Sequence, residues 1–151
     1  LIGGYNIMKA VIQRVTHASV TVDGHVTGKI GRGFLVLLGV GGDDTRAEAD
    51  RIAKKLVNLR IFSDENGKIN LSLKDVGGSL LIVSQFTLYA DCRHGNRPGF
   101  SAAAKPEAAE ALYEYFMEKC REEIPVVEHG LFGAHMDVEL LNDGPFTVIL
   151  E

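Results

Sequence analysis

Two uninterrupted apolar runs constrain the fold of this chain more than any other feature. Residues 34–40 read Phe-Leu-Val-Leu-Leu-Gly-Val, and residues 80–83 read Leu-Leu-Ile-Val. Short runs without alternating polar residues are typical of strands buried on both faces. Between them, residues 45–59 carry apolar side chains at helical spacing, and Thr45 and Glu48 have the spacing of a capping box. Strands and helices mixed in this way predict a single α+β domain.

Strand and turn signals fill most of the remaining chain. Alternating apolar residues over 11–22 predict strands, and Asp23-Gly24 predicts a tight hairpin turn directly after them. Residues 64–68 predict a solvent-facing hairpin. A second helix is predicted after Pro106, because proline suits the first helical turn. The apolar stripe of this helix is predicted at Ala108, Ala111, Leu112, Tyr115 and Phe116.

The C-terminal part of the chain predicts three more strands, at residues 126–128, 136–141 and 146–150. The last two are separated by Asn-Asp-Gly-Pro at residues 142–145. Each of these four residue types is common in turns, so the segment predicts a turn between two strands.

Composition limits the classes of protein to which the chain can belong. Its 151 residues are 46% hydrophobic and 24% charged, as expected for one globular domain. No apolar run approaches ~20 residues and no signal-peptide pattern opens the chain, so neither a membrane span nor secretion is predicted. Cys92 and Cys120 lie far apart, which suits a reducing compartment and predicts a cytoplasmic location. Residues 1–7 are interpreted as an artificial remnant or upstream extension, and residues 8–151 as the domain.

Charge and histidine spacing give little indication of a ligand. The net charge of −4 argues against broad electrostatic binding to nucleic acid. Basic residues do cluster locally, and a solvated face is their ordinary interpretation. The five histidines show no compact metal-ligand spacing, so neither a metal nor any other cofactor is predicted.

Small polar residues follow two of the predicted strands, where rigid supports commonly carry sites. Residues 84–88 read Ser-Gln-Phe-Thr-Leu directly after the second apolar run, and residues 142–145 read Asn-Asp-Gly-Pro. Taken alone, both segments are also compatible with local backbone hydrogen bonding and ordinary turn chemistry.

Together the two segments resemble the two signature motifs of the D-aminoacyl-tRNA deacylase family. The resemblance extends from Met8 to Glu151. It includes the opening Met-Lys-Ala-Val-Ile-Gln-Arg-Val at residues 8–15 and Asn-Arg-Pro-Gly-Phe-Ser at residues 96–101. Phe146 stands where the family often has valine, which we interpret as a change in packing.

The resemblance implies a fold and a reaction. The fold is a strongly curved, barrel-like sheet with the two main helices packed outside. The reaction is hydrolysis of the ester that joins a D-amino acid, and also glycine, to tRNA, which proofreads chirality during translation. It further implies a homodimer with the site at the subunit interface, and no required metal.

The family motifs also assign roles to particular residues. The catalytic segment corresponds to Ser84, Gln85, Phe86 and Thr87. Thr87 is the obvious nucleophile, but a threonine hydroxyl needs a base, and no triad order is present. We therefore expect main-chain N–H groups around Phe86 and Thr87 to polarise the ester carbonyl, while the ribose 2′-hydroxyl of the substrate assists water.

The second motif is expected to select chirality. In the family the Gly-Pro bond is cis, and its carbonyl oxygens line the pocket of the partner subunit. That implies a cis bond between Gly144 and Pro145 here, with carbonyls that exclude an L side chain and admit hydrogen. Arg14 is either a support for this loop or an ordinary surface arginine at a strand edge.

Two alternatives remain open at this point. One is a related deacylase with a trans Gly-Pro bond, which accepts small L-aminoacyl-tRNA. The other is a tRNA-binding module without catalysis, although an acidic chain without an aromatic-basic surface is a poor candidate.

Overall fold

The long strand β1 (Lys9–Val22) is the centre of the main sheet. The structure, a computed structural model, describes residues 6–151. Residues 1–5 of the predicted remnant lie outside this part, and the origin of residues 1–7 stays a prediction. Asn6 and Ile7 are hydrogen bonded to the domain, since the Asn6 carbonyl oxygen accepts the main-chain N–H of Asp43 at 3.0 Å, and the Ile7 carbonyl oxygen accepts the Tyr89 hydroxyl at 2.6 Å.

Ten helices and strands occur in the described part of the chain. In addition to β1, they are β2 (His25–Ile30), β3 (Gly33–Gly39), α1 (Arg46–Asn58), β4 (Arg60–Ser63), β5 (Ile69–Ser72), β6 (Ser79–Ser84), α2 (Pro106–Arg121), β7 (Val127–His129) and β8 (Asp137–Leu150). A short 3-10 helix (Phe86–Tyr89) follows β6. These elements form a single α+β domain, as the sequence predicted.

The sheet is wound around β1. β2 and β3 pair with successive parts of β1 in one antiparallel register, with Ala18 opposite Ile30 and Val15 opposite Gly33. β6 joins β3 in parallel, and β7 joins β6 in parallel. β8 pairs with β1 over most of its length, while β4 and β5 form a separate hairpin.

The sheet curves until β2 approaches β7, which nearly closes it into a barrel. A Cβ atom placed on Gly28 in β2 would lie only 2.6 Å from the His129 carbonyl oxygen in β7. The carboxylate of Glu128 accepts the main-chain N–H of Lys29 across the same gap at 3.4 Å. The strongly curved, barrel-like sheet that the resemblance implied is thereby confirmed.

Helix α1 begins where the sequence predicted. The Thr45 hydroxyl accepts the N–H of Ala47 at 3.2 Å, and the Glu48 carboxylate accepts the N–H of Thr45 at 2.6 Å. The two bonds satisfy donors that a helix start leaves free. The buried face consists of Ala49, Ile52, Ala53, Leu56 and Val57.

Helix α2 begins at Pro106 as predicted, but its predicted apolar stripe is only partly confirmed, since Phe116 is buried and Leu112 and Tyr115 pack against the core, whereas the two alanines do not. Ala108 and Ala111 are exposed, and the buried residues are Ala109, Tyr113, Phe116, Met117 and Cys120. Large side chains bury more apolar area than alanines, so they set the orientation of the helix. Tyr113 can be buried because its hydroxyl donates to the Ile82 carbonyl oxygen at 3.1 Å.

The predicted turn at residues 142–145 is also wrong, because β8 runs through it as one strand. Ala18 lies opposite Leu140, and Gln13 lies opposite Thr147. Between these two pairs β1 advances five residues and β8 seven, so the segment is a bulge. Turn-type residues did not end the strand here, because β1 continues alongside and offers partners on both sides of the bulge.

We expect Gly28→Ala to destabilise the protein, because the new methyl group would meet the backbone of β7. The cost should be about 1–3 kcal/mol of unfolding free energy, measured by urea denaturation. Gly31→Ala is the matched control, since a Cβ there meets nothing within 4 Å. Equal stability of the two variants would contradict the close approach of β2 and β7.

Candidate active site

The first motif lies at the carboxyl end of β6. Ser84 is the last residue of β6 and lies opposite Leu38 of β3. The Gln85 main-chain N–H donates to the Leu38 carbonyl oxygen at 2.8 Å, which carries the ladder one residue further. Within residues 6–151, the main-chain N–H groups of Phe86 and Thr87 have no acceptor. Two free donors are thus held on a rigid strand end.

The Thr87 side chain lies beside an amide rather than a base. Its exposed hydroxyl oxygen accepts a short hydrogen bond from the side-chain amide of Gln85. A neutral amide cannot take up a proton from a hydroxyl group, so this contact does not activate Thr87 as a nucleophile.

A cavity of about 540 Å³ opens beside this strand end. Its walls come from the first motif, from residues before α2 and from the segment that leads into β8. The lining includes Ser84, Gln85, Phe86, Phe100, Phe132 and Met136. A mostly apolar cavity with a few polar groups is the usual form of a small-molecule site.

Aromatic rings form one wall of the cavity. Phe86 and Phe100 meet edge to face, with ring centroids 5.1 Å apart, and Phe86 is 57% exposed. Phe132 packs on Tyr113 at 5.9 Å. Burial raises the pKa of the Tyr113 phenol, which therefore stays protonated and keeps its bond to the Ile82 carbonyl oxygen.

The second motif forms the bulge in β8. The Gly144–Pro145 peptide bond is cis, as the resemblance implied, and the alternative with a trans bond does not match. Gly144 has a φ of 152°, which favours glycine, and a Cβ there would lie 2.6 Å from the Phe146 nitrogen. Both Gly144 and Pro145 are exposed.

The Asn142 side chain bridges the base of the bulge. Its amide nitrogen donates to the carbonyl oxygens of Arg14 and Phe146 at 2.9 and 3.0 Å, and its oxygen accepts the Phe146 N–H at 3.2 Å. These bonds replace the ladder that the extra residues interrupt. The sequence pattern gave no sign of this role, because asparagine is a common turn residue.

Arg14 packs against the bulge with a side chain that is only 12% exposed. Its Nε donates to the Asp143 carbonyl oxygen at 3.1 Å and lies 3.3 Å from the Asp143 carboxylate. Its Nη1 donates to the Ile61 carbonyl oxygen of β4 at 2.6 Å. The guanidinium also lies 4.6 Å from the centre of the Phe146 ring. These contacts tie Arg14 to the bulge, and its role toward a substrate stays a prediction.

The two motifs do not meet within one chain. Ser84 aligns with Ala10 through Leu38, whereas Arg14 aligns with Leu80 through Phe34. Four residues separate these levels, which is about 13 Å along the strands. The bulge also lies three strands away from β6, on β8.

Both cysteines and one arginine–carboxylate pair lie outside the two motifs. Cys92 is an exposed free thiol, while burial raises the pKa of the Cys120 thiol to about 12. Arg93 binds Asp91 through two side-chain hydrogen bonds, which hold the pKa of that carboxyl well below its usual range.

Metal-ligand and membrane-spanning features are absent from the described residues. Over residues 6–151, no three or more His, Cys, Asp or Glu side chains are grouped as metal ligands. Over the same range, no helix combines the length and apolar character needed to cross a membrane.

Known proteins are similar in sequence to this chain over almost its full length. A family model for D-Tyr-tRNA(Tyr) deacylase matches residues 11–151. The chain belongs to this family. It is therefore an enzyme of the hydrolase class. D-aminoacyl-tRNA deacylase of Thermosipho africanus is 58% identical over 144 residues, which cover 95% of this chain and 97% of the relative. The enzyme of the same name from Clostridioides difficile is 57% identical with the same coverage.

Two solved structures have the same fold. A c-Myc DNA unwinding element binding protein superposes with a TM-score of 0.90 at 46% identity, covering 95% of this chain and 97% of that protein. A probable eukaryotic D-amino acid tRNA deacylase superposes with a TM-score of 0.83 at 20% identity, covering 95% and 98%, and this likeness concerns the fold alone.

Proposed function

We propose that this enzyme hydrolyses the ester bond of D-aminoacyl-tRNA, and of glycyl-tRNA, and spares L-aminoacyl-tRNA. The products are free amino acid and tRNA, so the reaction removes wrong-handed residues before the ribosome uses them. We further propose that it acts in the cytoplasm and binds tRNA as its substrate. Family membership supports the reaction class, and the geometry of the two motifs supports the finer proposal.

One observation carries the catalytic part of the proposal. The free N–H groups of Phe86 and Thr87 lie just after the end of β6, and Phe86 also lines the cavity. An ester carbonyl develops negative charge during hydrolysis, and fixed N–H donors stabilise that charge without reorganising. Removing one such donor from an enzyme typically costs about 10²–10³-fold in rate. Backbone groups therefore suffice for this part of the chemistry.

Side chains of the first motif then build the pocket rather than attack the ester. The amide contact of Gln85 leaves the Thr87 hydroxyl without a base. When the amino acid is esterified to the 3′ oxygen of the terminal ribose, the 2′-hydroxyl lies next to the ester. In the proposed mechanism it positions or activates the attacking water, so neither a protein nucleophile nor a metal is needed.

The second motif excludes L side chains by backbone sterics. Arg14 and Asn142 hold the bulge from within the chain, while Gly144 and Pro145 point outward. Carbonyl oxygens held close to the substrate Cα leave room for hydrogen but not for a larger group. A D-residue or glycine therefore fits and an L-residue clashes.

Because the two motifs lie apart in one chain, we propose a two-fold homodimer in which each bulge enters the cavity of the partner. β8 has only β1 as a strand partner among the described residues. Leu141 and Ile149, on either side of the bulge, are 53% and 61% exposed. An apolar edge strand is a common surface for pairing with a second copy.

The function is tested by deacylation of matched D- and L-aminoacyl-tRNA. We expect the D-form and glycyl-tRNA to be cleaved, and the L-form to react at least roughly tenfold more slowly. Activity should survive a chelator once the tRNA is folded. Equal rates on both forms would contradict the chirality filter, and a complete lack of hydrolysis would favour the tRNA-binding alternative.

The role of Thr87 is tested by removing its hydroxyl. We expect Thr87→Ala to stay within about tenfold of the parent enzyme, since loss of a true nucleophile typically costs on the order of 10⁶-fold. A substrate with a 2′-deoxy terminal ribose should lose more activity. Thr87→Ser, which keeps the hydroxyl, is the control. An inactive Thr87→Ala beside an active Thr87→Ser, with full activity on the 2′-deoxy substrate, would reverse the assignment.

The dimer is tested by placing a charge on the edge strand. Leu141→Glu should yield a monomer in light scattering and lose activity, because burying an unpaired carboxylate costs several kcal/mol. Ile69→Glu is the matched control, since Ile69 is 55% exposed on the separate hairpin. A parent enzyme that is fully active as a monomer would exclude a site shared between subunits.

A further inference from the structure

We propose that Phe146 is a positioning residue that strengthens chirality discrimination through Arg14. The inference rests on the proposed function, because it assigns Phe146 to the loop that selects D-residues. The ring of Phe146 is a platform for the Arg14 guanidinium, and the guanidinium in turn fixes the Asp143 carbonyl at the start of the Gly-Pro pair.

The first support is the way in which Arg14 is held. Its Nε and Nη1 donate to carbonyl oxygens of Asp143 and Ile61 on opposite sides. The carboxylate of Asp143 is 45% exposed and gives only a weak, solvent-screened hold. The Phe146 ring, 4.6 Å from the guanidinium, covers the planar face that hydrogen bonds leave open. Without the ring this side chain could leave the plane that both bonds require.

The second support is the contact between Phe146 and the Gly-Pro pair. A Cβ on Gly144 would lie 2.6 Å from the Phe146 nitrogen and 2.9 Å from its Cβ, so residue 144 already rests against residue 146. Asn142 fixes the Phe146 backbone from the other side through both its N–H and its carbonyl oxygen. Phe146 therefore has a fixed backbone, and its ring direction is set accordingly.

The third support is that the ring is anchored in the core. Phe146 is half-buried and packs against the main hydrophobic cluster, which also contains Ile61 and Phe62 of β4. The same cluster thus positions the ring under Arg14 and the strand that carries the Ile61 acceptor. Valine, which the family often has here, would keep the strand but provide no aromatic face.

The experiment compares Phe146→Val and Phe146→Tyr in the full-length enzyme. Phe146→Val should lower the ratio of D- to L-aminoacyl-tRNA hydrolysis by about three- to tenfold, the size of a partly buried cation–π contact. Phe146→Tyr keeps the aromatic face and should restore the parental ratio. In an Arg14→Met background, Phe146→Val should change the ratio no further.

A second readout does not depend on activity. In Phe146→Val, the NMR signal of the Arg14 Nε–H should shift, because the aromatic ring beside it is lost. The proton should also exchange faster with solvent, because its hydrogen bond is weakened. This signal tests the placement of Arg14 even if the enzyme shows no preference for D-residues, in which case the proposed function fails separately. Urea denaturation identifies any variant that is merely unfolded. If Phe146→Val is unfolded, Phe146→Tyr tests the proposal, because its ratio of D- to L-aminoacyl-tRNA hydrolysis and its Arg14 Nε–H signal should both match those of the parent enzyme.

The matched control is another cation–π pair with the same spacing. Arg46 lies 4.6 Å from the Tyr115 ring, between α1 and α2 and away from the bulge. Tyr115→Leu should leave the ratio and the Arg14 signal unchanged. The proposal is overturned if Phe146→Val leaves both unchanged, or if Tyr115→Leu alters the ratio equally.

Discussion

The pairing of β1 along both of its edges is the constraint on which the rest of the structure depends. β2 and β3 take one register along it, and β8 takes the other side. The separation of the two motifs along the strand direction is then set by the number of β1 residues between them. The first motif is aligned with Ala10 of β1, and the second is aligned with Arg14. Hydrogen bonding in one strand thus separates the parts that the proposed reaction needs, and a second subunit is the simplest way to bring them together.

The proposed site relies on main-chain groups at both motifs. The N–H groups of Phe86 and Thr87 are fixed by the ladder between β3 and β6, and the carbonyls of the bulge are fixed by Arg14 and Asn142. Main-chain donors and acceptors present the same chemistry whatever side chain follows them. The proposed selection by handedness needs this property, because it requires that D side chains of different kinds be accepted and the opposite configuration at Cα be rejected.

Local signals in the sequence predicted those parts of the fold that local interactions determine. The capping box at Thr45, the hairpin at Asp23-Gly24 and the buried strands all appear where propensity and periodicity put them. The buried face of α2 was predicted only in part, because contacts with Ile82 and neighbouring strands decide which side of that helix is covered. The turn at residues 142–145 was wrong for a similar reason, since pairing with β1 is invisible in the segment itself. Resemblance, not periodicity, supplied the motif roles and the cis bond.

The bulge in β8 changes the hydrophobic cluster that the strand faces. Leu140, before the bulge, packs against the cluster that contains Val20 and Leu81, whereas Val148, after it, packs against the cluster that contains Ile12 and Ile82. Side chains alternate between the two faces of a strand, and Leu81 and Ile82 are neighbours in β6, so the two clusters lie on opposite faces of the sheet. Losing or gaining a single residue between Leu140 and Val148 would move the core-facing side chains at the C-terminal end of β8 to the opposite face of the sheet. Lengths in this segment can therefore change only in steps of two. The alternation of side chains therefore limits the number of residues around Gly144-Pro145, independently of the chemistry that those residues perform.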